Sequence, residues 1–389
     1  LPAVLAAARS GFECVIVPYA NADEAALVDG VQVIGARSLA EVVRWHGADV
    51  ADLVCAPVRR HGGEIDDPPG ATPDLAAVIG QPEAVDALIA AAAGSHHLLM
   101  SGPPGAGKTM LASRLPAILP ELGDAAAIEV ASIRSLSGDP VRALVRQPPL
   151  EAPHHSVSVA ALVGGGSRIV RPGAIARAAH GVLFLDEAGE FPGHALDALR
   201  QPLETGSIVI HRAGFTASFP ARFQLVLATN PCPCGNYGVR GAVCECPPMA
   251  IRRYLGRLSG PLLDRVDIEL QLARVSVAHV SGPAVRSTST QEARTRVIEA
   301  RDRAAHRLRD TPWRVNGDVD GTWLRGGPVA LPPVVRRPLD AALHRGALTL
   351  RGYDRTLRLA WTLADLAGNP APTVHDIGRA LFMKKGIAT

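Results

Sequence analysis

The fold is decided by the segment Gly102-Pro103-Pro104-Gly105-Ala106-Gly107-Lys108-Thr109, which has the spacing of a phosphate-binding loop. In such a loop successive backbone N–H groups turn toward a polyphosphate, the lysine reaches its β- and γ-phosphates, and the hydroxyl binds Mg²⁺. The chain has only three lysines among 40 basic residues, and Lys108 is the only one before Lys384. A compact ammonium suits a phosphate cradle better than the planar guanidinium used elsewhere in this chain. The segment therefore predicts a site for ATP and Mg²⁺.

Two apolar runs further along the chain end in polar residues that suit the same chemistry. Val182 to Leu185 is followed by Asp186, expected to hold Mg²⁺ through water, and by Glu187, expected to polarise the attacking water. The next apolar run ends in Asn230, whose amide either hydrogen-bonds the γ-phosphate or the lytic water, or only begins a turn. A buried strand that ends in an acidic turn is common, so these interpretations depend on the phosphate loop.

Alternating helical and extended patterns predict an α/β fold whose parallel sheet binds its ligand at the carboxyl ends of the strands. These elements are Pro82–Ala93 (helix), His97–Met100 (strand), Lys108–Ile118 (helix), Gly181–Leu185 and Gln224–Ala228 (strands). From about Ser287 a separate helical lid is predicted, with helices at Thr290–Leu308, Pro338–His344, Asp354–Ala367 and Thr373–Phe382. The first 60 residues predict a small α/β unit, with helices at Leu1–Ala8, Asp23–Asp29 and Ser38–Trp45 and strands at Glu13–Pro18 and Val31–Ile34.

Length and composition indicate two or three domains and no disulfide scaffold. Of the 389 residues 47% are apolar and 4% aromatic, and the formal net charge of +3 is too small to indicate nucleic-acid binding by itself. No run of 18 apolar residues occurs, so no membrane span is expected. The chain enters a helical pattern at Leu1 without a signal-peptide pattern, which leads us to expect a truncated N-terminus and a cytoplasmic protein.

Four of the six cysteines form the pattern C-x-C-x9-C-x-C, at Cys232, Cys234, Cys244 and Cys246. Four thiolates on two tight turns suit a closed, structural Zn²⁺ site. The spacing differs from the usual C-x2-C, so reduced or redox-active thiols are the alternative interpretation.

Several arginines are candidates for contacts with phosphates. Arg265 follows a short helical turn, where it suits either a neighbour's γ-phosphate or a surface pair with Asp264. Arg358 and Arg355 lie one turn apart on a lid helix and compete for a role in sensing nucleotide. The segment 151–177 contains His154, His155, three consecutive glycines and three arginines, and suits either a loop that grips a polyanion or an ordinary solvated insertion; its arginines are Arg168, Arg171 and Arg177.

A set of motifs, in the order found here, resembles one family. The phosphate loop is followed by L-F-L-D-E, T-N-P-C-P-C-G, R-Y-x-x-R-L-S-G-P-L-L-D-R and L-R-L-A-x-T-L-A-D-L. Together they resemble the magnesium-chelatase-like AAA+ proteins of bacteria, specifically the YifB/ComM group, through almost the whole chain. The resemblance implies a P-loop AAA+ αβα core with a helical lid and homo-hexameric rings in which ATP lies between subunits.

The resemblance also implies roles for particular residues. Asn230 corresponds to the sensor-1 residue, Arg265 to the arginine finger and Arg358 to the sensor-2 arginine. Segment 151–177 corresponds to the helix-2 insert, whose arginines would contact DNA, and Ile208 to Phe219 corresponds to the pre-sensor hairpin. The implied ATP contacts are Ile79, Gly80, Gly102, Pro103, Pro104, Gly105, Ala106, Gly107, Lys108, Thr109 and Met110.

The resemblance implies a division into domains as well. Residues 1–60 resemble the end of a Lon-protease-like (S5-like) domain, and residues 61–75 correspond to a linker. Residues 76–286 correspond to the AAA+ core, which includes the helix-2 insert (about 151–177) and a four-cysteine insertion (231–247). Residues 287–389 correspond to the lid. Residues 1–107 contain no lysine, so no Ser-Lys dyad forms there and peptidase activity is not expected.

Three hypotheses of function follow. The first is a DNA motor that drives branch migration of recombination intermediates during DNA uptake. The second is a chelatase motor that remodels a tetrapyrrole-binding partner for Mg²⁺ insertion. The third is an ATP-gated scaffold with little turnover, which the presence of Lys108, Asp186, Glu187 and Arg265 argues against.

Overall fold

The computed structural model of the protein describes residues 1–49, 73–166, 170–212, 215–239, 241–274, 287–385 and 387–388. Arg168 and residues 61–72 of the predicted linker lie outside the described residues. The chain divides into two compact units, the first of residues 1–70, 121–146 and 167–172 and the second of residues 71–120, 147–166 and 173–389.

The secondary structure alternates helices and strands along most of the chain. The helices are α1 (Pro2–Arg9), α2 (Ala22–Ala25), α3 (Leu39–Trp45), α4 (Pro82–Gly94), α5 (Lys108–Ile118), α6 (Asp124–Ser137), α7 (Val159–Val163), α8 (Ala174–Arg177), α9 (Gly193–Asp197), α10 (Arg200–Thr205), α11 (Pro248–Leu255), α12 (Gly260–Leu263), α13 (Thr290–Arg307), α14 (Gly321–Gly326), α15 (Pro333–His344), α16 (Leu350–Ala367) and α17 (Val374–Lys385). The strands are β1 (Cys14–Pro18), β2 (Gln32–Ala36), β3 (Leu98–Ser101), β4 (Leu150–Glu151), β5 (Gly164–Gly165), β6 (Arg171–Pro172), β7 (Val182–Leu185), β8 (Ser207–Arg212), β9 (Phe215–Pro220), β10 (Gln224–Thr229), β11 (Ile268–Gln271) and β12 (Ile387–Ala388).

The first unit contains the small α/β arrangement predicted for the start of the chain. Strands β1 and β2 pair in parallel, with Cys14 opposite Gln32. Its small core consists of buried Val4, Ala25 and Val28 with partly buried neighbours. Helix α6 also belongs to this unit and was not predicted from the sequence.

The second unit is built on a parallel sheet with the strand order β12-β11-β3-β10-β7-β4. Strand β3 lies between β10 and β11, with Leu98 opposite both Val226 and Ile268. Strands β7 and β10 are buried along their whole length, as expected for a parallel sheet covered by helices on both faces. This arrangement confirms the predicted α/β fold with a P-loop AAA+ core.

The lid helices pack into the same hydrophobic core as the sheet. That core includes Leu88 of α4, Met100 of β3, Val297 of α13 and Leu359 of α16. Helix α15 begins at Pro333, five residues before the predicted start, and Pro338 lies inside it. Helix α16 begins at Leu350, also earlier than predicted.

Strands β8 and β9 form an antiparallel hairpin at the predicted position, with Ile208 opposite Phe219. The hairpin directly precedes β10, so it projects from the strand that leads to Asn230.

Within the part of the chain that the structure describes, no helix combines the length and the apolar character that crossing a membrane requires.

Candidate nucleotide-binding site

The phosphate loop connects the carboxyl end of β3 to the first turn of α5. Lys108 is buried there, and its Nζ donates to the carbonyl oxygens of Gly102 (2.6 Å) and Pro103 (3.0 Å). The third donor reaches Oδ1 of Asn230 at 2.9 Å, so the ammonium joins the loop to the end of β10. Burial lowers the pKa of Lys108, and the nearby charges of Asp186 and Glu187 oppose that shift.

Gly107 gives the loop its turn into the helix. Its φ of +87° lies in the left-handed region, which glycine adopts without steric cost. A Cβ at this position would approach the side chain of Met110 to 3.2 Å. The conformation turns the following N–H groups at the start of α5 toward the cleft, where they suit an anion.

The acidic pair follows β7, the strand two places from β3 in the sheet. Thr109 Oγ1 donates to Oδ2 of Asp186 at 2.6 Å, so a hydroxyl and a carboxylate already lie together. Glu187 donates its N–H to Oδ1 of Asp186 at 2.9 Å. Glu187 has a φ of +51°, a left-handed conformation that costs a non-glycine residue about 1 kcal/mol or more and is concentrated at functional sites.

These groups line one open cleft with a volume of about 460 Å³, within the range of small-ligand sites. Its lining residues are Pro104, Gly105, Ala106, Gly107, Lys108, Thr109, Met110, Asp186, Glu187 and Asn230. An ammonium, a hydroxyl beside a carboxylate and a helix N-terminus are the donor set that a triphosphate with Mg²⁺ requires, so the residues fit both groups. Thr109 and Asp186 are the residues that would hold the metal.

The segment before α4 lies beside the phosphate loop. Gln81 is buried, and its Nε2 donates to the carbonyl oxygens of Ala106 (2.9 Å) and Ala273 (3.3 Å). Ile79 exposes 52% of its surface, which suits a purine ring, and Gly80 has a φ of +74°. The sequence assigns Gln81 only to the segment 78–81, which resembles the family's adenine-side element. Its hydrogen bond to the phosphate loop appears only in the tertiary structure.

The two arginines that the resemblance implies as finger and sensor do not line this cleft. Arg265 is buried, donates to the carbonyl oxygen of Pro261 at 2.5 Å and forms an ion pair with Glu204. Arg265 precedes β11, at the amino end of a strand, whereas the phosphate loop follows the carboxyl end of the parallel strand β3. Arg265 therefore lies where the parallel strands begin, and its own phosphate loop lies where they end.

Arg358 also lies near the amino-terminal ends of the strands, close to Asp267. Asp267, Asp318 and Asp354 are close enough to oppose the lowering of its pKa, which burial and the charge of Arg355 cause. Its buried Nε has no hydrogen-bond partner among the described residues, whereas Arg355 forms an ion pair with Asp267 at 2.8 Å. The structure thus distinguishes the two lid arginines: Arg355 pairs with Asp267, whereas the Nε of Arg358 has no hydrogen-bond partner among the described residues.

The three insert arginines have different positions. Arg168 lies outside the described residues, and Arg171 is exposed at the start of β6. Arg177 is half-buried and forms an ion pair with Glu151, with Nη2 3.0 Å from Oε2. Only Arg171 is therefore displayed to solvent among the described members of this set.

The four cysteines converge directly after Asn230. Their sulfur atoms all lie within 4.8 Å of one another. Measured separations are 3.3 Å for Cys232–Cys234 and 3.7 Å for both Cys232–Cys244 and Cys234–Cys244. A tetrahedral site with Zn–S bonds of about 2.3 Å needs sulfur separations of about 3.8 Å, so the cluster fits such an ion.

Neighbouring groups shift the pKa values of the cluster thiols in opposite directions. Tyr237 donates its N–H to Sγ of Cys232 at 3.3 Å. The N–H of Asn236, followed by the thiol of Cys232, lowers the pKa of Cys234 to about 6. The N–H of Cys246 lowers the pKa of Cys244, but burial and the thiols of Cys234 and Cys232 outweigh it and raise that pKa to about 12. The separations exceed the roughly 2.05 Å of a disulfide, so these cysteines are free thiols available to bind a metal.

Comparison with known proteins gives two family matches and several close relatives. A model described as magnesium chelatase, subunit ChlI, matches residues 74–280, and one described as its C-terminal part matches residues 287–384. The uncharacterized protein Rv2897c of Mycobacterium tuberculosis is 48% identical, over 99% of this chain and 75% of the relative. Competence protein ComM of Haemophilus influenzae is 41% identical, over 95% and 70%, respectively. The uncharacterized protein YifB of Escherichia coli is 38% identical, over 90% and 67%.

Proposed function

This chain belongs to the magnesium-chelatase family of AAA+ ATPases, and we propose that it hydrolyses ATP with Mg²⁺ as a hexameric ring that moves branched DNA. The observation that carries the ATPase part is the convergence of Lys108, Thr109, Asp186, Glu187 and Asn230 on one cleft. These residues come from the ends of three neighbouring parallel strands, where α/β proteins of this kind bind their ligands.

Each residue of the cleft has a distinct role in this proposal. Lys108 exchanges its loop carbonyl partners for the β- and γ-phosphates, because charge-assisted bonds to phosphate are stronger than bonds to neutral carbonyls. Thr109 and Asp186 hold Mg²⁺, which when bound neutralises charge on the phosphates. Glu187 accepts a proton from the attacking water, and Asn230 orients that water against the γ-phosphate.

We assign Arg265 and Arg358 to the nucleotide of the neighbouring subunit. Both lie at the amino-terminal edge of the sheet and away from the phosphate loop of their own chain, which supports a role across a subunit interface. An arginine supplied in this way stabilises charge that develops in the transition state. Hydrolysis would then depend on ring assembly.

The DNA part of the proposal has separate support. One relative is named a competence protein, and Arg171 on the insert is exposed, where it suits a phosphate of DNA. The alternative is a chelatase-type motor acting on a protein partner, which the description of the matching family favours.

The four-cysteine cluster is proposed to hold zinc as a closed structural site. The sulfur separations near 3.7 Å, which match those of four sulfur ligands around a tetrahedral ion, support this assignment over redox-active thiols.

The test is ATP turnover by the assembled protein with no DNA, single-stranded DNA, duplex and a four-way junction, with Lys108→Ala as the control. Strong stimulation by the junction, absent in the control, supports the DNA motor. Turnover that is indifferent to every DNA overturns the DNA part and directs the search to a tetrapyrrole-binding partner. Absence of turnover in an intact ring overturns the ATPase and restores the scaffold hypothesis.

A further inference from the structure

A histidine of the insert touches the proposed catalytic carboxylate. His155 lies four residues after β4, and its Nδ1 is 3.1 Å from Oε2 of Glu187. Nδ1 must carry the proton for this contact to be a hydrogen bond, since a carboxylate only accepts. The contact joins residues 32 positions apart in sequence, and nothing in the phosphate-loop motif requires it.

The imidazole of His155 is held in place by its neighbours. Its ring packs edge-on against Phe191, with ring centroids 6.5 Å apart, and Phe191 is fully buried. The ring of His154 also packs against it, with ring centroids 4.0 Å apart and the ring planes tilted by 36°. His154 itself bonds elsewhere: its Nδ1 accepts the N–H of Ser156 at 3.3 Å and lies 2.8 Å from Oγ of the same residue. The two adjacent histidines therefore have different partners, and only His155 faces the site.

Glu187 needs such a partner because it is otherwise weakly restrained. Its side chain is 52% exposed, and an exposed glutamate samples several rotamers. A general base acts efficiently only when it is held in reach of the proton that it accepts. In known catalytic groups the base is oriented by a third residue through a hydrogen bond, and one carboxylate oxygen is enough for that purpose. Oε2 meets His155, which leaves Oε1 for the water.

We infer that His155 is a positioning residue, which donates Nδ1–H to Glu187 and holds that carboxylate toward the γ-phosphate side of the cleft. The inference rests on the proposed function, because it assigns Glu187 as the base. It also makes the insert part of the hydrolytic machinery, since a displacement of the segment that carries His155 changes the orientation of the base.

The test compares His155→Asn with His155→Asp in the full chain, using steady-state ATP turnover. The asparagine amide places an N–H donor near the position of Nδ1, whereas the aspartate of the same size repels Glu187. We expect kcat within about threefold of wild type for His155→Asn, and a loss of about 10- to 100-fold for His155→Asp, with KM for ATP unchanged. Equal kcat in both variants, or a change in KM alone, overturns the inference.

Two further measurements separate positioning from folding. His154→Asn serves as the matched control, and we expect its kcat to stay within about threefold of wild type, because it removes an imidazole without touching Glu187. In a Glu187→Gln background, measured by single turnover, His155→Asp should cause no further loss, since His155 acts through Glu187. An additive loss contradicts the inference. If the wild-type ring does not hydrolyse ATP, the proposed function itself is refuted. If the wild-type ring is active but the His155 variants do not differ from each other in kcat, only the inference about His155 is refuted.

Discussion

Arg355 and Asp267 form a buried ion pair that joins the lid helix α16 to the amino end of β11, with Nη1 2.8 Å from Oδ1. The other oxygen of Asp267 accepts the backbone N–H of His97 at 2.8 Å, so the carboxylate also joins β11 to β3. Burial raises the pKa of Asp267, but Arg355 and the neighbouring histidines lower it by more. The net result is a pKa well below the usual range. The lid is thus fixed to the edge of the sheet opposite the phosphate loop.

Arg355→Ala should therefore destabilise the second unit. Removing one member of a buried pair leaves an uncompensated charge, at a cost of about 3 kcal/mol or more in the free energy of unfolding. Arg351→Ala is the control, because Arg351 is exposed one turn earlier on the same helix and should cost less than about 0.5 kcal/mol. Denaturant unfolding measures both variants. Equal stability of the two would contradict the assigned importance of the pair.

Stability should fall between neutral pH and about pH 4 because of His97. Burial, the largest cause, lowers the pKa of His97 to about 4, and its Nδ1 accepts the N–H of Leu225 at 3.1 Å. The unfolded chain takes up the proton near pH 6.5, before the folded chain does, so the stability present above pH 6.5 declines toward pH 4 by up to about 3 kcal/mol. Asp267 adds a further loss of stability at lower pH. The pKa of its carboxyl is lowered from a usual value near 3.8, so its stabilising effect declines only as the pH falls below about 4.

Unfolding measured at several pH values between 7 and 4.5 checks this prediction. His97→Asn provides the comparison, since its amide oxygen replaces the acceptor and does not titrate. Its unfolding free energy should vary less with pH than that of the wild type, and parallel curves would count against His97 as the source.

Arg265→Ala should retain ATP binding and lose about 10³-fold or more in hydrolysis. A mixture with Lys108→Ala tests the assignment across subunits. Each variant alone is inactive. Where an Arg265→Ala subunit supplies the phosphate loop and a Lys108→Ala neighbour supplies Arg265, the site between them is intact. In an equal mixture up to about a quarter of the interfaces have this composition. Recovery of turnover on mixing supports the assignment. No recovery in rings that co-assemble means that Arg265 serves only its own fold, through Glu204 and Pro261.

Gly235→Ala should weaken ATP binding by disturbing the phosphate loop. Gly235 has a φ of +77°, and an added Cβ would lie 2.4 Å from Cδ of Pro104. Gly238→Ala is a matched control, since Gly238 has a similar φ of +74° with nothing within 4 Å of the added Cβ. Both variants carry the cost of placing a non-glycine residue in the left-handed region, about 1 to 2 kcal/mol. Titration with a fluorescent ATP analogue should show weaker binding only in Gly235→Ala.

Metal analysis of the purified protein should find about one zinc per chain. Cys244→Ser should lose this zinc and lower the unfolding temperature, because the closed site holds the turn after Asn230. Cys14→Ala, which removes a thiol outside the cluster, should retain the metal. A wild-type protein that contains no zinc and takes up none on addition would favour the alternative of redox-active thiols.

Several features of this protein were determined by the sequence itself. The phosphate loop is eight consecutive residues, and its chemistry depends on local spacing that no other part of the chain has to supply. Strands β7 and β10 contain continuous apolar runs because both of their faces are buried, so Asp186, Glu187 and Asn230 were recognisable after them. The two-residue strand β4 has too few residues to show a pattern and was not predicted.

Tertiary structure alone decided which of these groups meet. The separation of Arg265 and Arg358 from the phosphate loop follows from the parallel direction of the strands, which places residues before β11 and residues after β3 at opposite edges. The contact of His155 with Glu187 and the burial of Gln81 against Ala106 join positions distant in sequence, and each depends on how an insert or helix packs. A sequence records which chemical groups are present, but the distances between groups on different elements are set by packing.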